Sequence, residues 1–169
     1  MKFSNFSSRK GIFLGATLAV LVVSPFVVFG GGRVIHVDSK ASGMEDGSKS
    51  HPYDTITEAL KHAKEGDELE VEKGTYKENI TLPKEVWLYG AGGDRKDIVI
   101  EAKNDEKPTV EMKHGSKLSD VTVKGGRHGV RVLEDSKAHL YDVRITKSNR
   151  DGIHIDSADV SKKKRVLID

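Results

Sequence analysis

Two short segments, GGRHGVRVLED (Gly125 to Asp135) and SNRDGIHID (Ser148 to Asp156), each place histidine, arginine, aspartate and glycine around a run of alternating apolar residues. A histidine beside an aspartate is the minimum of an acid/base pair, because the imidazole titrates near neutral pH and the carboxylate can orient it. Laid in register, the two segments set His128 beside Asp151 and Arg131 beside His154. The same register sets Asp120 beside Asp142 and Thr122 beside Arg144. Two neighbouring carboxylates begin an oxygen-rich calcium site, so Asp120 and Asp142 are the expected ligands of such an ion, with Asn149 or Asp151 supplying further oxygens. Arg131, Arg144, His154 and Tyr141 offer hydrogen-bond donors and one aromatic ring to a glycan. The histidine pattern has no accompanying nucleophile or oxyanion donor, so no catalytic residue is assigned, and a polar ladder on an exposed surface is the competing reading of these residues.

The elements that must position these side chains are visible as repeats. Leu118, Val121 and Val123 recur as Leu140, Val143 and Ile145, and Gly129, Val130 and Val132 recur as Gly152, Ile153 and Ile155. The period is about 22 residues, in the range of solenoid coils. The single-residue change of spacing between the two sets falls at the polar turn, where a solenoid corner tolerates insertion while its inward positions are fixed by stacking. Leucine-rich repeats would need a regular leucine and asparagine pattern, which is missing.

Short strand patterns fill the chain beyond residue 67: ELEVE, ENITL, VWLYG, DIVIEA, TVEM, LSDVTVKG, GVRVLE, AHLYDVRITK, GIHID and RVLID. No helical pattern separates them, which excludes a doubly wound sheet. Ahead of them RVIHVD reads as a first strand and DTITEALKHAKEGDE as a helix, with Thr55 and Glu58 as a capping box and Gly66 as its C-terminal stop. The predicted fold class is all-β: a right-handed parallel β-helix with a capping α-helix at about 55–65 and coils over about 67–169.

DGSKSHPYDTITEAL, GDELEV, GTYKENI and VWLYGAG, together with the repeats, resemble the opening of pectate-lyase-like, right-handed parallel β-helix proteins, a superfamily that includes pectinesterases. The resemblance runs from about Val34 to the end of the chain. It implies that the helix closes the N-terminal end of the coil stack. It also implies that this opening segment is scaffold, since pectinesterases keep their catalytic carboxylates in later coils, with glutamines; this chain has no glutamine.

From Gly11 to Gly32 the chain carries no charge, and Lys2, Arg9 and Lys10 precede that run. A basic flank before an apolar stretch is an export signal, so residues 1–32 are expected to be a signal peptide or an N-terminal membrane anchor, and residues 33–169 to lie outside the cytoplasm. There are no cysteines, so packing and not disulfides must hold the exported domain. The formal charge of +2 arises from the leader, and the near-neutral, mixed remainder gives no case for nucleic acid. SKKKR at Ser161 to Arg165 is read as a charged turn guarding a strand edge, Trp87 as core or cap packing, and Asn79 as a bare glycosylation pattern.

The chain's last strand pattern, RVLID, has no cap after it, so the C-terminal coil is expected either to continue in a longer β-helix or to pair edge to edge with another copy. The function expected is binding or scaffolding at the cell envelope, toward polysaccharide, with no lyase or esterase activity on pectin. The alternative is the N-terminal part of a pectinesterase or polysaccharide lyase whose catalytic coils lie elsewhere. No cofactor other than calcium is expected.

Overall fold

A computed structural model describes residues 32–156 and, for the backbone, Val166–Ile168. The leader and SKKKR lie outside the described residues. No helix among the described residues is long and apolar enough to cross a membrane.

Alternating side chains need an inside and an outside, and the chain provides them by winding. Strand β1 (Val34–Val37) is followed by helix α1 (Ile56–His62). One coil then comprises β2 (Glu68–Val71), β3 (Gly74–Lys77) and β4 (Ile80–Leu82), and the next β5 (Trp87–Gly90), β6 (Ile98–Glu101) and β7 (Val110–Met112). A third holds β8 (Lys117–Ser119), β9 (Thr122–Lys124) and β10 (Val130–Val132). A fourth holds β11 (Ala138–Tyr141), β12 (Arg144–Thr146) and β13 (Ile153–Ile155), and β14 (Val166–Ile168) pairs onto β11.

All pairings between these strands are parallel, and they assemble three sheets: β1-β2-β5-β8-β11-β14, β3-β6-β9-β12 and β4-β7-β10-β13. This is the architecture of a β-helical solenoid. Inward residues stack in register from coil to coil. Ile35, Leu69, Leu88, Leu118 and Leu140 form one column, Tyr76, Ile100, Val123 and Ile145 a second, and Leu82, Met112, Val132 and Ile155 a third. Most of these side chains are fully buried. The columns, apart from the exposed Ile155, belong to the core, and their stacking fixes which polar residues face outward.

Two patterns expected to be single strands are each folded in two. LSDVTVKG bends at Asp120 and AHLYDVRITK at Asp142, where φ is +58 and +48. Aspartate tolerates the left-handed region better than most residues, so a single aspartate turns the chain from the first sheet into the second. GTYK, not read as a strand, forms β3 and brings Tyr76 into the core.

The capping helix has the expected Thr55 N-cap, which accepts a hydrogen bond from Glu58 N at 3.3 Å. The reciprocal half of the box is absent: the Glu58 side chain pairs with Lys61 and His62, while Glu78 accepts from Ile56 N (3.0 Å) and Thr57 N (2.7 Å). A carboxylate from the coil thus satisfies the first helical N–H groups and ties α1 to the solenoid. The helix ends at Ala63, before the predicted Gly66, whose φ of +89 serves the following turn. In that turn burial works to raise the Asp67 pKa, but hydrogen bonds from Lys64 N and from Arg33 N and Nε outweigh it and hold the carboxyl below its usual range.

Tyr76 donates to the Glu72 carbonyl (2.9 Å) and accepts from Ser39 N (3.2 Å). Burial pushes its phenol up to about 12, against the opposing hydrogen bond from Ser39. A raised folded-state pKa favours the protonated form, so this stabilisation is complete below pH 10, the unfolded value, and is lost as pH rises through about 12. Tyr76→Phe should lower stability at pH 7 by about 0.5–1.5 kcal/mol. It should also flatten the decline above pH 10, leaving the part due to Tyr89, whose phenol is likewise raised to about 12. Denaturant melts from pH 7 to 12 would refute the assignment if the variant kept the wild-type slope.

Candidate functional site

The third sheet presents an outward row of Thr81, Glu111, Arg131 and His154, one residue per coil. The pairing of Arg131 with His154 is the one expected from the sequence. Arg131 is clamped: Nε and Nη2 donate to Asp156 at 2.9 and 3.0 Å, and Nη1 donates to Glu111 at 3.1 Å. The bidentate contact with Asp156 holds the guanidinium charged. Its first role is to tie three coils together.

Beside this row the turns between the second and third sheets carry His128 and Asp151 on successive coils. His128 Nδ1 lies 3.0 Å from Asp151 Oδ2, and His154 Nδ1 lies 3.3 Å from the same oxygen. The two imidazoles stack with centroids 4.4 Å apart. His128 is 7% exposed, in contrast to the surface position expected from alternation. The cause is local: Gly126 has φ +78 and Gly125 +79, and this left-handed pair swings the following histidine against the wall of the coil. Burial holds His128 below the usual imidazole range, and the His154 ring adds to this while the Asp151 carboxylate opposes it. The contact with Asp151 is close but poorly aligned for a hydrogen bond, so His128 Nδ1 is buried without a hydrogen-bond partner.

Sequence reasoning missed the neighbours of this cluster. Arg127 N donates to the Lys107 carbonyl and Arg150 N to the Arg127 carbonyl, each at 2.9 Å, so Lys107, Arg127 and Arg150 occupy equivalent corner positions on three successive coils. All three are exposed. They edge a groove of about 710 Å³ whose walls also include Glu106, Glu111 and Asp151. The recurrence of arginine in GGRH and SNRD was the available signal; Lys107 sits in a loop of unmatched length and gave none. That loop is fastened by Asn79, whose Nδ2 donates to the carbonyls of Asn104 (3.0 Å) and Pro108 (2.8 Å) and whose Oδ1 accepts from Asn104 N (2.8 Å). The Asn79 amide is therefore a structural tie.

The other expected site residues lie elsewhere. Tyr141 faces outward from the first sheet and Arg144 from the second, so neither shares a surface with Arg131 and His154. Asp142 forms an ion pair with Arg95, and Asp120 N bonds the Tyr141 carbonyl at 3.2 Å, so both aspartates serve the corner between the first two sheets. Trp87, expected in core or cap packing, is half-buried on the outer face of the first sheet. It donates to Ser119 Oγ at 3.2 Å, lies 4.9 Å from the Tyr89 ring and sits under Lys117 Nζ at 5.5 Å. Alternation explains this: Leu88 takes the inward position, which leaves Trp87 and Tyr89 outside.

A family model described as "Protein of unknown function (DUF1565)" matches residues 41–167. The chain belongs to that family. DUF1565 proteins are associated with parallel β-helix folds, in agreement with the three parallel sheets. No curated protein matches the chain. In this DUF1565 protein the outward polar row, the two stacked histidines and the basic corner column converge on one groove, and that convergence is what a functional reading has to explain.

Proposed function

We propose that this DUF1565 protein is an exported, right-handed β-helix of the cell envelope that binds an anionic polysaccharide along the groove of its third sheet. The basic column of Lys107, Arg127 and Arg150 carries this reading. Neighbouring coils are about 4.8 Å apart, so an extended chain running along the coil axis meets one exposed cation per coil. A regular array of cations suits a polymer with regularly spaced carboxylates. Glu106, Glu111 and Asp151 in the same groove can accept hydrogen bonds from sugar hydroxyls. Those carboxylates disfavour the denser charge of a nucleic acid. The apolar stretch at residues 11–32, behind Lys2, Arg9 and Lys10, supports export or anchoring at a membrane.

The test uses the full-length chain in mild detergent, titrated with polygalacturonate, dextran and duplex DNA. Polygalacturonate should bind and weaken with added salt, as exposed charges are screened. The Arg127→Ala/Arg150→Ala variant should bind it at least tenfold more weakly. Equal binding by variant and wild type, or a preference for dextran or DNA, would remove this reading.

A further inference from the structure

We propose that His128, Asp151 and His154 form a binding site for a divalent transition-metal ion of the Zn²⁺ type, joining the third and fourth coils. Each of the three residues can direct one ligand atom into a space where all three atoms lie within 4.8 Å of one another. Two imidazole nitrogens and one carboxylate oxygen suit ions of borderline softness, whereas Ca²⁺ and Mg²⁺ favour oxygen donors.

The distances fit the ion. Tetrahedral zinc with ligands at about 2.0–2.2 Å sets neighbouring ligand atoms about 3.3–3.5 Å apart. Asp151 Oδ2 is 3.0 Å from His128 Nδ1 and 3.3 Å from His154 Nδ1, so small side-chain adjustments complete the triangle. The groove leaves a fourth position to water or to a ligand oxygen.

Two further observations point to an ion. The first is the buried Nδ1 of His128, which faces Asp151 Oδ2 at 3.0 Å without a well-aligned hydrogen bond, an arrangement that an ion between the two groups would satisfy. The second is the placement of Asp156, which Arg131 holds with Oδ1 3.6 Å from His154 Nε2, so that a small rotation of the ring would bring the two within hydrogen-bond reach. A carboxylate behind a ligating imidazole orients the ring and makes the facing nitrogen a better donor. Arg127 and Arg150 oppose a cation in the groove, while Asp151, Glu106 and Glu111 favour it.

The reading does not depend on a polysaccharide, and its test uses the metal alone. The full-length chain in mild detergent, stripped with chelator, is titrated with Zn²⁺ against a chromophoric indicator, and with Co²⁺ while its visible absorption is recorded. One tight equivalent per chain is expected. His154→Ala and Asp151→Ala, both at partly or fully exposed positions, should each weaken Zn²⁺ binding at least tenfold while leaving the circular dichroism and the metal-free melting curve unchanged. The absence of a tight equivalent, equal Zn²⁺ binding by the His154→Ala/Asp151→Ala variant, or displacement of Zn²⁺ by equimolar Ca²⁺ would overturn the proposal. His128→Asn serves as a third variant, read only if its fold is intact by circular dichroism.

Discussion

Leu118→Ala is expected to lower the unfolding free energy by about 2–5 kcal/mol, in the upper half of that range. Leu118 is fully buried and lies between Leu88 and Leu140 in the column behind the first sheet. Those neighbours are held by parallel backbone pairing on both sides, so they cannot collapse into the space that a truncated side chain leaves. The cost therefore includes the cavity as well as the lost transfer free energy. Urea denaturation of wild type and variant measures it; a difference under about 1 kcal/mol would mean that the column is not packed as described.

Gly126→Ala should be the most damaging single change near the groove. A Cβ there would lie 2.4 Å from Thr109 Oγ1, 2.8 Å from Thr109 N and 2.9 Å from the His128 carbonyl, at a residue with φ +78. The left-handed conformation alone costs a residue with a side chain about 1–3 kcal/mol, and two of the three close contacts are with backbone that cannot swing away. Gly126 N also donates to Asp105 Oδ1 at 2.9 Å, which fastens the loop carrying Lys107. Relief of the clash would move that loop and His128 together. The expected result is a lower urea midpoint together with at least tenfold weaker binding of both Zn²⁺ and polygalacturonate. Retention of wild-type stability and of both affinities would show that this turn does not set the geometry of the groove.

The parallel coil stack was legible because its signal is repetition: Leu118 to Ile145 announce two coils, and the register of Arg131 with His154 and of Thr122 with Arg144 follows from it. The corners were not legible, because a single aspartate at positive φ leaves the apolar alternation intact on either side. LSDVTVKG and AHLYDVRITK therefore read as continuous strands although each turns through Asp120 or Asp142. Trp87 misled for a related reason: its hydrophobicity suggests the interior, while its parity along the strand, opposite to that of Leu88, decides the outcome. The candidate site was visible only as fragments. The contact of His128 with Asp151 follows from register, but the burial of His128 depends on two consecutive glycines in left-handed conformation. The basic column depends on which residue of an irregular loop reaches the corner, and spacing does not encode that.

The fourth coil has a softer interior than the third: Val143, Ile145 and Ile153 are only partly covered, whereas Val121, Val123 and Val130 are fully covered. In a solenoid each storey is held chiefly by its neighbours, so a less covered storey opens at a lower free energy than a fully covered one. The groove straddles this weaker junction, with His128 and Arg127 on one storey and Asp151, His154 and Arg150 on the next. Whatever occupies the groove therefore acts as a clasp across that junction, and the free energy of binding is added to the resistance of the fourth storey to parting from the third.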